Sequence, residues 1–185
     1  MPPRTTLRKL LEEGEHRLDA GRVEEAVEDL RAHPRKTEQL VECLWDDHPG
    51  TANRAAQAAE ALTREKPALL QPWKAELLGL LGEATENKLR WSLAVIVPRL
   101  RLTADECERA ADTLTGFFDA SSSIVRTNAL QGLADLCRQN PALLPQTLDL
   151  LRLHGRSGTP AMRARSRHLL RELEKRGPEG VAPPA

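Results

Sequence analysis

Val125-Arg126-Thr127-Asn128-Ala129-Leu130-Gln131-Gly132-Leu133-Ala134-Asp135-Leu136 carries small or apolar residues at its first position and at 4, 7, 8 and 11 beyond it. Those offsets trace one stripe of a helix with 3.6 residues per turn. The same template is filled by Thr51, Ala55, Ala58, Ala59 and Leu62, by Leu89, Leu93, Ile96, Val97 and Leu100, and by Met162, Ser166, Leu169, Leu170 and Leu173. Successive starts lie 38, 36 and 37 residues apart. The tetrapeptide Pro67-Ala68-Leu69-Leu70 also returns as Pro141-Ala142-Leu143-Leu144, an offset of 74, twice 37. A fixed period of this length marks a repeat architecture.

A second apolar stripe precedes each template helix, over residues 37–45, 68–81, 104–118 and 142–153. Leu40, Val41 and Leu44 mark the first, and Cys107, Ala110, Ala111 and Leu114 the third. Stop and start signals separate the stripes: Pro34, His48-Pro49-Gly50, Pro67, Thr103, Ser121-Ser122-Ser123, Pro141 and the Gly155 to Thr159 stretch. A helix pair that cannot close its own core must stack on its neighbours. The pattern therefore predicts an all-α fold, an α-α superhelix of antiparallel pairs. Leu7, Leu10, Leu11 and Leu18, then Val23, Ala26, Val27 and Leu30, predict a capping pair over residues 1–33, with Gly21 at the turn. Four pairs follow over 34–176, and Gly-Pro-Glu-Gly-Val-Ala-Pro-Pro-Ala over 177–185 reads as a disordered tail.

Composition agrees. Leucine (31) and alanine (24) outnumber valine plus isoleucine (9) about six to one, and tyrosine is absent. Strands are rich in β-branched and aromatic residues, so an all-β chain is excluded and α/β disfavoured. The 27 basic and 27 acidic residues cancel, which argues against a uniformly basic nucleic-acid binder. The cancellation hides an asymmetry. Residues 12–47 hold twelve acids and five bases, whereas residues 152–176 hold eight bases and two acids, Glu172 and Glu174. Cys43, Cys107 and Cys137 are odd in number and widely spaced, which excludes a disulfide scaffold and favours core thiols in a reducing compartment. Met1-Pro2-Pro3-Arg4 lacks an apolar signal segment, and no run approaches a membrane span. A cytoplasmic location without membrane contact is expected.

The paired units resemble the HEAT-repeat family, whose pattern sets an acid near the inter-helix turn and an apolar residue followed by Arg early in the second helix. Glu83 with Leu89-Arg90, and Asp119 with Val125-Arg126, match it. The fourth unit has Met162-Arg163 but Arg156 in the acid's place; the first has Asp46 and Asp47 but Ala52 in the Arg place, with Arg54 two residues later. Leu89-Arg90-Trp91 and Ser122-Ser123-Ile124-Val125-Arg126 are similar to the small bacterial members of that family. The resemblance implies a ladder of arginines bonded to turn carboxylates, with Arg126 buried beside Asp119. It also implies second helices that line the concave surface. Gly21-Arg22-Val23-Glu24-Glu25-Ala26 resembles a tetratricopeptide turn, but that match does not recur.

Catalytic signals are missing. No two of His16, His33, His48, His154 and His168 stand at i, i+4, so no helical metal pair exists. No His is followed by Glu, as the iron-binding HEAT hydroxylases require. Trp45, Trp73 and Trp91 with Asp112 and Asp119 allow a HEAT-like glycosylase cleft, though tryptophans on first helices usually pack the core. No phosphate loop or nucleophile motif is present. The chain reads as a non-enzyme without metal or cofactor.

The informative positions lie 2, 6 and 9 beyond each template start. In three units they are mostly polar: Asn53, Gln57 and Glu60; Thr127, Gln131 and Ala134; Ala164, His168 and Arg171. In the second unit they are Trp91, Val95 and Pro98. A helix apolar on both sides is either buried all round or exposes a sticky patch. Trp91, Val95, Pro98 and Gln131 are therefore the candidate partner-binding residues, with Trp91 expected to be partly exposed on the concave surface and Val95 beside it. Arg163, Arg167 and Arg171, at i, i+4 and i+8, form a ridge that could bind anions. The expected function is a protein-binding scaffold; the alternative is a nucleic-acid binder that uses this basic end.

Overall fold

A computed structural model describes residues 6–14, 16 and 19–176. Among them every regular element is helical and no strand occurs. The chain divides into two compact units, residues 1–80 and 81–185. The tail at 177–185 lies outside the described residues, as do residues 1–5 of the expected capping pair.

The first unit holds α1 (Leu7–Glu12), α2 (Val23–Ala32), α3 (Thr37–Leu44) and α4 (Pro49–Glu65). Helix α1 is shorter than its apolar spacing suggests: it stops at Glu12, and Leu18 lies outside the described residues. Helices α1, α2 and α3 all pack on α4. Alanine makes this possible, because Ala55, Ala56, Ala58 and Ala59 are fully buried and let three neighbours approach one helix closely.

Arg54 is the largest fully buried side chain among the described residues, 1 % exposed. Its guanidinium reaches the segment after α1. Nε donates to the Leu11 carbonyl (2.6 Å) and Nη2 to that of Glu12 (3.0 Å); Nη1 donates to His16 O (3.3 Å) and Asp19 Oδ1 (3.2 Å). The Leu11 and Glu12 carbonyls are ones that a helix C-terminus leaves without intrahelical partners. Two glycines make room for the group. A Cβ on Gly14 would stand 2.5 Å from Arg54 Nη1, and Gly21 adopts φ +47° against the Glu13 carbonyl.

Helix α5 (Lys74–Glu83) carries the boundary between the units. A helix was expected from residue 68. Instead Pro67–Leu69 and Gln71–Trp73 form 3-10 turns, because Pro72 cannot donate to an α-helical ladder.

The second unit holds α6 (Asn87–Ile96), α7 (Ala104–Gly116), α8 (Ser123–Leu136), α9 (Leu144–Ser157) and α10 (Pro160–Arg176). Thr103 and Glu106 close a capping box at the start of α7, and Ser122 caps α8. Helix α8 packs against α6, α7 and α10, and α9 against α10. The contact of α8 with α6 is close. A Cβ on Gly132 would lie 2.3 Å from the Ala94 carbonyl and 2.8 Å from Leu114 Cδ1. Pro98 ends α6 at Ile96, and Val97–Arg99 continues as a 3-10 turn. The Gln139 amide spans that break, donating to Pro98 O (2.8 Å) and accepting from Leu102 N–H (3.0 Å).

Nineteen of the twenty template positions are buried, so the stripe is the core. The exception is Leu170, half-buried on α10.

Two substitutions test this packing. Gly132→Ala should cost about 2 kcal/mol, the scale of overpacking, although alanine normally favours a helix. Gly79→Ala, whose new methyl would meet nothing within 4 Å, should gain about 0.5–1 kcal/mol. Urea unfolding reads both, and shifts of the same sign would contradict the packing. Arg54→Met, which takes the donors from the Leu11 and Glu12 carbonyls, should cost about 3 kcal/mol or more by the same measurement.

Candidate functional site

Most of the apolar face of α6 is covered. Val95 is only 8 % exposed, Pro98 is buried and Trp91 is half-buried. Its cover is α8, which lies alongside rather than across the layer. Asn128 donates to the Trp91 carbonyl (3.0 Å), Gly132 sits on the Ala94 carbonyl and approaches Pro98, and Gln139 holds the Pro98 carbonyl. The expectation that Val95 stands at the surface is therefore corrected, whereas Trp91 is partly exposed. The sequence shows that both sides of α6 are apolar; it does not show that a neighbouring second helix fills the far side.

The positions 2, 6 and 9 beyond each start become progressively more open along this unit. On α6 they are buried or half-buried. On α8 Thr127 and Gln131 are half-buried and Ala134 is buried; on α10 Ala164, His168 and Arg171 are all exposed. Between α8 and α10 a surface depression is lined by Thr127, Ala161, Ala164, Arg165 and His168. The structure thus brings Gln131 to the edge of this groove and leaves Trp91, Val95 and Pro98 out of it.

A polar chain runs along the groove. Arg165 Nη1 donates to Gln131 Oε1 (2.6 Å), and Gln131 Nε2 donates to both Asp135 oxygens (3.1 Å each). Asp135 also accepts from Arg138 Nη1 (2.6 Å). Burial pushes the Asp135 carboxyl above the usual aspartate range, against the opposing pull of the Gln131 bond and of Arg138 and Arg99. Glu172 closes the far end at 3.7 Å from both Arg138 Nη2 and His168 Nε2. Arg165 belongs to the basic end that the alternative reading invokes; it meets Gln131, 34 residues before it, across α8 and α10.

The basic ridge is where the sequence puts it. Arg163, Arg167 and Arg171 are all exposed on α10, and Arg171 Nε turns back onto the Arg167 carbonyl (3.2 Å). The arginine ladder is not as expected. Arg126 is only half-buried, and its guanidinium forms no hydrogen bond or ion pair with any described residue; its Nε is buried without an acceptor. Asp119, the expected partner, is exposed in the 3-10 turn Phe117–Asp119. Arg90 instead donates Nε to the Ala84 carbonyl (2.6 Å) and lies over the Phe117 ring at 5.4 Å. His154 stacks against Phe118 with ring centroids 4.3 Å apart, and burial, then the Arg126 charge, lowers its pKa.

No group of three or more metal-binding side chains occurs among the described residues, and none of their helices is long and apolar enough to cross a membrane. Comparison of the chain with protein-family models, with curated proteins and with solved structures finds no match.

The cysteines are free and buried. Burial raises the thiols of Cys43 and Cys107 to about 11 and also raises that of Cys137. A raised pKa keeps the thiol protonated, so the reactive thiolate is scarce until the pH approaches that value. At about pH 8 a thiol-specific disulfide reagent should label all three only after unfolding, where an ordinary cysteine is partly ionised. Rapid labelling of the native protein would contradict this.

Proposed function

We propose that this chain is a non-catalytic protein-binding module, a short solenoid of HEAT-like helix pairs that offers the α8–α10 groove to a protein partner. The single observation that carries the reading is the groove itself. Equivalent faces of two successive second helices meet there, and one of them, on α10, is open at all three equivalent positions.

The repeat reading has independent support. Bonds that tie one helix to the next span close to one period: Asn128 to Trp91 (37 residues), Asn140 to Ala104 (36), Ser123 to Thr159 (36) and Arg165 to Gln131 (34). Such near-equal steps are what a solenoid of repeated pairs produces, because each unit repeats its neighbour's contacts. Free thiols throughout support a reducing, cytoplasmic setting.

Binding energy in a groove of this kind comes from a few well-anchored contacts. Small residues on the floor, Ala161 and Ala164, let a partner's chain come close, while Arg165 is pre-positioned by Gln131. Pre-positioning lowers the ordering cost of association.

Ala164→Arg would fill the groove from an exposed helix position. The variant should keep its helical circular dichroism and its thermal midpoint, yet lose the proteins that the wild type captures from its source cells. Equal capture by both would count against the groove as the binding surface.

A further inference from the structure

We infer that Asp135 is the positioning residue of the groove: its ionised carboxylate dictates which end of the Gln131 amide faces Arg165, and a proton on it lets Arg165 go. The inference rests on the binding-surface reading above and adds a control that the surface carries within itself.

The direction of the amide follows from donor chemistry. A glutamine offers one accepting end and one donating end, whereas an ionised carboxylate only accepts and a guanidinium only donates. Asp135 therefore takes the NH2 end of Gln131, whose nitrogen lies 3.1 Å from both carboxylate oxygens. The carbonyl end is thereby turned to α10, where Arg165 Nη1 donates to it at 2.6 Å. The opposite orientation would set the amide oxygen on the carboxylate and the amide hydrogens on the guanidinium. Two repulsions would then replace two charge-assisted bonds. Asp135 thus acts on Arg165 through the amide, and Arg165 is the member of the chain that lines the groove.

A proton on Asp135 undoes this arrangement. Oδ1 also accepts from Arg138 Nη1 at 2.6 Å, so the proton settles on Oδ2. That oxygen faces the Gln131 NH2 at 3.1 Å, and donor then meets donor. Turning the amide relieves the conflict, because the new O–H can donate to Gln131 Oε1. The NH2 group is left facing Arg165, which has nothing to accept with. A freed Arg165 must be ordered again when a partner arrives, which weakens any contact it makes.

The surroundings of Asp135 make the proton accessible. Its side chain is only 16 % exposed. Burial is the largest influence and disfavours the charge, as does Glu172 on α10, while the Gln131 bond, Arg138 on α8 and Arg99 in the turn after α6 favour it. His168, also on α10, stands 3.7 Å from Glu172. The balance lies above the usual aspartate range. Arg165 is therefore held while Asp135 is ionised, and is freed as the pH falls through that raised value.

The test is NMR of the full chain without a partner, from about pH 7 to about pH 4, following the Asp135 carboxyl carbon, the Gln131 side-chain amide and the Arg165 guanidinium nitrogens. All three should titrate with one midpoint. Asp135→Asn should abolish the step at Gln131 and Arg165. Glu172→Gln removes a negative neighbour and should move all three midpoints together to lower pH. Asp149→Asn, at an exposed carboxylate on α9, should leave them in place. Circular dichroism confirms that each variant stays folded over the range; should Asp135→Asn fail to fold, the Glu172→Gln shift decides. An Arg165 step that survives in Asp135→Asn, an Arg165 midpoint apart from that of the carboxyl, or Gln131 and Arg165 signals that stay still while Asp135 titrates would overturn the inference. The groove as a binding surface is read separately, by capture with Ala164→Arg.

Discussion

The backbone contact at Gly132 is the constraint on which the second unit depends. With no side chain between them, α8 settles directly on the Ala94 carbonyl of α6. That approach fixes the rotation of α8. With its glycine face turned to α6, Asn128 meets the Trp91 carbonyl, and Gln139 at the far end reaches the carbonyl that Pro98 leaves beyond the α6 ladder. The opposite edge of α8 then presents Thr127, Gln131 and Asp135 toward α10. The groove is a consequence of that rotation: a wider α6–α8 spacing would turn Gln131 away from Arg165.

The first unit is organised around a different device. Arg54 enters the interior and gives its donors to the segment that follows α1. A buried guanidinium is tolerable only when its donors are used, and here all three nitrogens have acceptors. Arg126 shows the opposite outcome for the same residue type. It stays half-buried, its Nε has no acceptor, and it adds positive charge beside His154. The difference lies in the acceptors within reach: Arg54 has a short helix with free terminal carbonyls, whereas the carboxylate nearest Arg126 in sequence points to solvent.

Much of the fold is legible because the template offsets are set by helix geometry. Thr51, Leu89, Val125 and Met162 each start a stripe, and each stripe is core but for Leu170. Starts were legible where a cap or proline marks them, as at Thr103 and Pro49. The break at Pro72 was less so, since the apolar pattern of Leu69, Leu70 and Trp73 continues through a change of helix type. The candidate site was half legible. Apolar character reveals which faces of a helix avoid water but not which neighbour covers them, and so Val95 and Pro98 proved to be interior. The Arg163–Arg167–Arg171 ridge was read correctly as exposed because nothing apolar accompanies it. Arg54 was out of register with the arginines of the other units, and its role follows from a tertiary contact with a loop that no spacing encodes.

The central claim is that the α8–α10 groove is the surface by which this chain recognises a partner. Backbone amide NMR of the full chain, titrated with a protein that it captures from its source cells, tests it most directly. Shifts are expected at Thr127, Ala161, Ala164, Arg165 and His168, with little change across α1 to α4. Shifts centred on Trp91 or spread through the first unit, or none at saturation, would contradict it.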